Sequence, residues 1–363
     1  MPLNEIANFN VKYLQVVDVE GNADDSVHPP IGEDKIKEIY HLMVLLRTFD
    51  EKLFNLQRSG KIGTYAQTKG QEASEIASAI ALDEKDWFVP SFREMGVFLA
   101  RGVDRGALVQ GWNGDTRAFA NPDHLPNLPL SIPIASQLVH AAGIAWASKL
   151  KGKNIATIVY FGEGATSEGD FHEALNFAGV FKLPIVFFCQ RNGWSISTPT
   201  SIETASQTIA QKALGYGFEG IQVDGNDALA VYKATSEALE KARKGEGATL
   251  IESVTYRMGD HTTSDDSSKY RTQEEIQEWV KKDPIDRLEK YLQKKGWFND
   301  EYKNWVAQES VKEVDVAVEK GLNVEPPSPY QLFDDVFDEK PKMLLEEEEE
   351  LKAELAESKG GSS

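Results

Sequence analysis

The sequence predicts an α/β protein built on a mostly parallel sheet with helices on both faces, and three observations carry that expectation. The apolar run Ile155 to Phe161, a glycine-rich turn, a helical stretch from 170 to 181 and a second apolar run, Pro184 to Cys189, read as a strand-helix-strand unit. A helix between two strands carries the chain back across the sheet, so the two strands run parallel. Two more strand-like runs, Gly220 to Gly225 and Thr249 to Tyr256, flank a helical stretch from Ala228 to Lys244, bringing the sheet to at least four or five strands.

The other elements follow from spacing and punctuation. Residues 1–32 read as an arm with one short strand, Tyr13 to Val19, stopped by Pro29-Pro30. From Glu33 to Ser59, Ile36, Ile39, Met43, Leu46, Phe49, Leu53 and Leu56 recur at helical intervals, and Gly60 closes the helix. A small-residue helix spans Ser136 to Leu150, where Ala141, Ala142, Gly143, Ala145 and Ala147 let another backbone of the same chain or of a partner approach closely. Charged helices from about 274 to 320 read as peripheral to a main domain at 33–330. Residues 331–363 form an acidic tail with Glu346 to Glu350 on a solvated helix and a linker-like Gly360-Gly361-Ser362-Ser363 end.

Composition excludes several classes. A formal net charge of −19 opposes nucleic acid or an anionic membrane as the main partner. No uncharged apolar run is long enough to span a bilayer and Met1 to Asn10 lacks a signal peptide's regions, so a soluble, cytoplasmic protein is expected. The lone cysteine, Cys189, cannot form an internal disulfide and sits in the apolar run PIVFFC, which predicts a buried packing thiol.

The chemistry concentrates in Gly162-Glu163-Gly164-Ala165-Thr166-Ser167-Glu168-Gly169-Asp170, followed by Asn192-Gly193-Trp194, 29 residues beyond Glu163. A glycine-rich turn between strand and helix ordinarily cradles phosphate on backbone N–H groups, but Glu163 between the glycines repels a bare phosphate. A divalent cation resolves the conflict, because Mg²⁺ takes one or two carboxylates and completes its shell with substrate phosphates. Glu163, the Asn192 side-chain carbonyl and a backbone carbonyl near Trp194 are suitable hard oxygen donors. They fall just beyond the carboxyl ends of neighbouring strands, where open α/β sheets bind ligands. The expected ligand is a diphosphate.

Gly-Glu-Gly followed at that distance by Asn resembles the thiamine diphosphate and magnesium signature. The segments GEGATSEGDFHEALNFAGVFKLPIVFFCQRNGWSISTPT, LSIPIASQ and YRMGDHTTSDDSSKYR narrow the resemblance to the α subunit of the decarboxylating first component of 2-oxo acid dehydrogenase complexes, over about residues 33 to 330. That resemblance implies the thiamine-diphosphate-binding fold, with cofactor contacts at Phe92, Arg93, Ile132, Ile134, Gly162, Gly164, Ala165, Asn192 and His261. It implies magnesium on Glu163, Asn192 and Trp194 and, as in some members, potassium on Ser131, Pro133, Ser136 and Gln137. Arg93 would meet the diphosphate, Ile134 would bend the cofactor, and His261 would serve as the catalytic group lining the substrate channel. Thr262 matches a serine phosphorylated in animal relatives; here the segment Arg257 to Arg271 reads as a polar gating loop with little to bury, mobile without cofactor.

The family's reaction is oxidative decarboxylation of a 2-oxo acid with acyl transfer to lipoamide on a transacylase. A β subunit supplies the activating carboxylate in an α2β2 heterotetramer, so the site is expected between chains. Two departures stand out. Phe92 replaces a tyrosine common in branched-chain relatives, and Gln190-Arg191-Asn192 stands where those relatives have Arg-Asn-Asn, so a second phosphate-binding arginine is either shifted to Arg191 or absent. GEGATSEGD, SIPIASQ and HTTSDDSS lean towards branched-chain members, whereas Tyr65-Ala66-Gln67 and Gly70-Gln71-Glu72-Ala73 lean towards bacterial pyruvate members. The alternatives are an acetoin dehydrogenase-type α subunit and a Rossmann-type nucleotide-binding oxidoreductase; GEGATSEG lacks the GxGxxG spacing of the latter.

Overall fold

The computed structural model describes residues 3–120, 124–334 and 336–360. Eight strands occur among them: β1 Lys12–Leu14, β2 Trp87–Val89, β3 Thr157–Gly162, β4 Ile185–Arg191, β5 Trp194–Ser195, β6 Thr198–Pro199, β7 Glu219–Asp224 and β8 Thr249–Val254. Six of these form one sheet in the order β1-β7-β8-β4-β3-β2, with every neighbouring pair parallel. β5 and β6 make a small antiparallel hairpin.

The first helices are α1 Glu33–Arg58, α2 Glu72–Ile80, α3 Met95–Ala100, α4 Arg105–Trp112, α5 Ser136–Leu150, α6 Gly169–Phe181 and α7 Thr200–Glu203. They are followed by α8 Ala228–Arg243, α9 Gln273–Val280, α10 Pro284–Lys294, α11 Asp300–Leu322, α12 Gln331–Asp334 and α13 Lys342–Gly360. No helix among the described residues is long and apolar enough to cross a membrane.

Strand side chains alternate between two cores, as a two-sided sheet requires. Val159, Phe161, Ile185, Phe187 and Cys189 pack with Leu138 of α5 and Phe171 and Leu175 of α6. Ile158, Tyr160, Val186, Phe188 and Ile251 face the opposite way, against α1, α2 and α8 through Ile39, Leu46, Ile76 and Leu229. The Cys189 thiol is fully buried, and burial holds its pKa well above the usual thiol range.

Two local readings change. The strand expected over Tyr13 to Val19 ends at Leu14, because the Val16 and Val17 N–H groups both donate to Asp227 Oδ2 at 2.6 Å instead of to a ladder. The other oxygen of Asp227 caps α8 by accepting from the N–H groups of Leu229 and Ala230. The helices beyond 274 form as expected, yet Leu288, Leu292, Val306 and Val314 belong to the larger core. Residues up to Leu322 make one compact unit and those from Asn323 a second. Within the second, Phe333 is buried and Lys340 bridges Asp334 and Glu348.

Candidate functional site

Because the six strands are parallel, their carboxyl ends open on one side, and four of them deliver the site. β3 runs into Gly162-Glu163, β4 into Gln190 to Asn192, β8 into Arg257 and β2 into Ser91 to Arg93. β3 and β4 are hydrogen-bonded neighbours with Gly162 opposite Gln190, which sets Glu163 and Asn192 side by side. The ends surround a cavity of about 650 Å³. Every site residue read from the sequence lines it except Pro133 and Ser136, which stand behind Ser131.

Glu163 is buried, and its carboxylate is held by backbone. Oε2 accepts from the Asn192 N–H at 3.1 Å, and Oε1 accepts from the Gly193 N–H at 2.6 Å and from the Thr200 hydroxyl at 3.0 Å. Among the described residues no basic side chain forms an ion pair with it, and burial raises its pKa above the ordinary carboxylate range. The two glycines beside it serve different ends. A Cβ on Gly164 would lie 2.3 Å from Ser195 Oγ, so that glycine admits the β5–β6 hairpin, whereas a Cβ on Gly162 would meet nothing within 4 Å. Among the described residues no three His, Cys, Asp or Glu side chains converge as a metal-binding group; the local oxygen donors are one carboxylate, the Asn192 amide and the Trp194 carbonyl.

Two arginines line the same cavity. Arg93 is buried, donates to the Gln67 carbonyl, and reaches His261 with Nη2, at 3.1 Å to Nδ1 and 3.0 Å to the carbonyl. Arg257 is equally enclosed: Nη1 donates to the Trp194 carbonyl at 3.1 Å, and Nη2 to the Ile196 carbonyl at 2.8 Å and the Tyr270 hydroxyl at 3.1 Å. A guanidinium can only donate, so the His261 Nδ1 between these two arginines accepts and its proton sits on Nε2. Burial, with Arg93 and Arg257 adding repulsion, pushes the His261 pKa down to about 3. Burial and the neighbouring Arg257 bring Arg93 itself down to about 10.

A folded pKa below the unfolded value of about 6.5 means that the neutral ring is the form the fold favours. The contribution of His261 to stability is therefore complete above pH ~6.5 and is lost as pH falls towards about 3. In a ¹H–¹⁵N spectrum the ring is expected to stay neutral, with Nε2 protonated, from pH 5 to 9. A titration midpoint near 6.5 would refute that electrostatic picture.

The segment Arg257 to Arg271, read as having little to bury, folds around two buried guanidiniums. Arg271 donates to the carbonyls of Arg257, Met258 and Gly259 and to the Ser267 hydroxyl. Asp265 accepts from the His261 N–H at 3.0 Å and from the Tyr270 hydroxyl. Polar burial replaced the apolar burial that the sequence lacks.

In the Ser131 to Gln137 loop, Ser131 Oγ lies 3.0 Å from Ser136 Oγ, which donates to the Pro133 carbonyl at 2.8 Å. Gln137 Nε2 donates to the Tyr160 carbonyl at 3.0 Å, and its buried Oε1 has no partner. Ile132 and Ile134 border the cavity and are 63% and 51% exposed.

Arg191 does not line the cavity; it pairs with the buried Glu252 at 3.0 Å. The cavity's second arginine is Arg257, which sequence reasoning placed only at the edge of a polar loop. Its position directly after a strand end was the available signal. Gln71, Glu94 and Gln190 also line the cavity and were not singled out as site residues. Glu94 is buried and accepts from the Ser91 N–H and hydroxyl.

The dehydrogenase E1 component family model matches residues 40–329. The chain belongs to that family. It is 40% identical over 358 residues to the 3-methyl-2-oxobutanoate dehydrogenase subunit alpha of Mycobacterium tuberculosis, covering 98% of this chain and 97% of that one. It is 40% identical over 349 residues to the pyruvate dehydrogenase E1 component subunit alpha of Staphylococcus epidermidis, covering 96% and 94%. Against the Staphylococcus aureus protein of the same name the identity is 39% over 338 residues, covering 93% and 91%. An E1 component is a thiamine-diphosphate-dependent 2-oxo acid dehydrogenase, and as an E1 α chain this protein works with a β subunit and a transacylase. The Rossmann-type alternative falls with this assignment.

Proposed function

We propose that this E1 α chain binds thiamine diphosphate through Mg²⁺ held by Glu163, Asn192 and the Trp194 carbonyl, and acts on pyruvate or a branched-chain 2-oxo acid. The observation that carries the reading is the buried carboxylate of Glu163, without an ion pair among the described residues, sharing one cavity at the sheet's carboxyl edge with Arg93, Arg257 and His261. A divalent cation supplies the positive charge that Glu163 lacks, and its hard oxygen donors suit Mg²⁺. Gly162, with open space where a side chain would be, admits the cofactor, and Ala165 borders the same opening.

Thiamine diphosphate, when bound, supplies the carbon nucleophile and electron sink for decarboxylation. Arg93 and Arg257 offset the diphosphate's charge. Phe92 packs edge-on to His261, with ring centroids 6.0 Å apart. The His261 Nε2–H donates to a diphosphate oxygen or to negative charge developing on the substrate. Ile132 and Ile134, which line the cavity, would present apolar surface to the cofactor. The oxygens of Ser131, Pro133, Ser136 and Gln137 suit a potassium ion behind that loop, and the unpartnered Gln137 Oε1 supports this.

Glu94, a carboxylate lining the cavity, is engaged by the Ser91 N–H and hydroxyl, which supports an activating carboxylate supplied by the β subunit of an α2β2 heterotetramer. The chain alone is expected to reductively acylate no lipoyl domain and to gain activity on coexpression with its β subunit. Measuring decarboxylation of pyruvate and of 3-methyl-2-oxobutanoate by the coexpressed pair identifies the substrate. Turnover by the α chain alone, or a pair inactive on both acids, refutes the proposal.

A further inference from the structure

An asparagine holds a cation only through Oδ1, and its amide can be turned either way. Asn192 Nδ2 donates to Gln71 Oε1 at 3.2 Å, and Asn192 Oδ1 accepts from the Trp194 N–H at 3.3 Å. Gln71 is fully buried. Its Nε2 reaches the Thr68 carbonyl at 3.5 Å, the same oxygen that accepts from the Gln71 backbone N–H at 3.0 Å. A backbone carbonyl can only accept, so Gln71 turns Nε2 to Thr68 and Oε1 to Asn192.

Thr68 is itself held. Its N–H, in the preceding peptide unit, donates to Asp50 Oδ1 at 2.8 Å, and the Tyr65 hydroxyl donates to the same buried carboxylate oxygen at 2.8 Å. From the amide of Asn192 the donors thus run in one direction to the Thr68 carbonyl, and the Thr68 residue is anchored through its N–H to a carboxylate on α1. Gln71 lines the cavity beside Asn192, and Asp50 does not line it.

We propose that Gln71 is a positioning residue that, braced by the Thr68 carbonyl on the Asp50-anchored segment 65–68, turns the Asn192 amide so that Oδ1 serves the cation. This inference rests on the magnesium diphosphate reading of the site. Its scale is that of a group orienting a metal ligand, about tenfold to 100-fold in metal affinity.

The test is calorimetric titration of the full chain, copurified with its β subunit, with Mg²⁺ in the presence of thiamine diphosphate. Gln71→Met keeps length and volume but offers Asn192 no oxygen, and is expected to weaken Mg²⁺ binding about tenfold or more. Gln71→Leu, a second variant that offers Asn192 no oxygen, is expected to weaken it to a similar extent. Asn192→Asp presents an oxygen whichever way it is turned, so in that background Gln71→Met should cost less than about threefold. A merely structural Gln71 would cost the same in both backgrounds.

Equal cost in the two backgrounds overturns the inference, as does a Gln71→Met loss below about threefold. Circular dichroism checks each fold; if Gln71→Met does not fold, Gln71→Leu measured in the same two backgrounds decides. Wild-type protein that shows no Mg²⁺-dependent binding would instead sink the site reading on which the inference rests.

Discussion

Glu163→Ala is expected to abolish Mg²⁺-dependent binding of thiamine diphosphate while leaving the fold intact. It removes the single carboxylate proposed to hold the cation, and removal of a buried hard ligand is expected to cost well over about 100-fold in affinity. Stability should change little, because two opposing terms follow from the same burial. The substitution relieves the cost of an unpaired buried carboxylate, and it leaves the Asn192 and Gly193 N–H groups and the Thr200 hydroxyl without their acceptor. Of these three only Asn192 lines the cavity, but Glu163 lines it too, so the space its side chain vacates lets water replace the lost oxygens. Asn192→Ala is expected to behave alike.

Calorimetry with cofactor and Mg²⁺, beside a thermal melt, measures both quantities. Wild-type affinity in either variant refutes the metal assignment. A raised Glu163 pKa adds a sign: the carboxylate takes a proton more readily than an ordinary one, so cofactor affinity falls with pH earlier than a solvated glutamate would allow.

Arg257→Met is expected to have the second largest effect, because one side chain serves two parts of the site. Its three donors fasten the carbonyls of Trp194 and Ile196 and the hydroxyl of Tyr270, tying the β5–β6 hairpin to the segment that carries His261. Methionine removes all three charge-assisted hydrogen bonds, at roughly 1.5–3 kcal/mol each at most. Amide exchange should therefore accelerate across 257–271 and 194–199, and cofactor affinity should fall by about tenfold to 100-fold. The His261 pKa should rise from its depressed value, since one of the two cations that repel its proton is gone. Unchanged exchange together with unchanged affinity would show that Arg257 only fills space.

Arg257 also shows why part of the site was hard to read. Its partners at 194, 196 and 270 lie on separate segments, and an arginine within a Ser-, Thr- and Asp-rich stretch looks solvated when only neighbours in sequence are considered. The same stretch was read as having little to bury because apolar content was the measure, whereas the fold buries guanidiniums and satisfies them with carbonyls. Arg191 was open in the opposite sense. One position before Asn192 it is either a shifted phosphate-binding arginine or none, and alternation along β4 turns it away from the cavity, where Glu252 of β8 receives it.

What the sequence determined by itself was the parallel sheet, the helices on its two faces and the acidic and amide residues at the strand ends. These rest on short-range physics: apolar period, glycine at turns, and a carboxylate where a phosphate loop would not tolerate one without a cation. Only the tertiary structure decided which arginine enters the cavity, which tautomer His261 holds and which residue orients Asn192. Gln71 and Asn192 are separated by 121 positions, and Arg93 and His261 by 168. Such contacts exist only once the sheet is assembled, because no local propensity encodes a hydrogen bond between segments that the fold alone brings together.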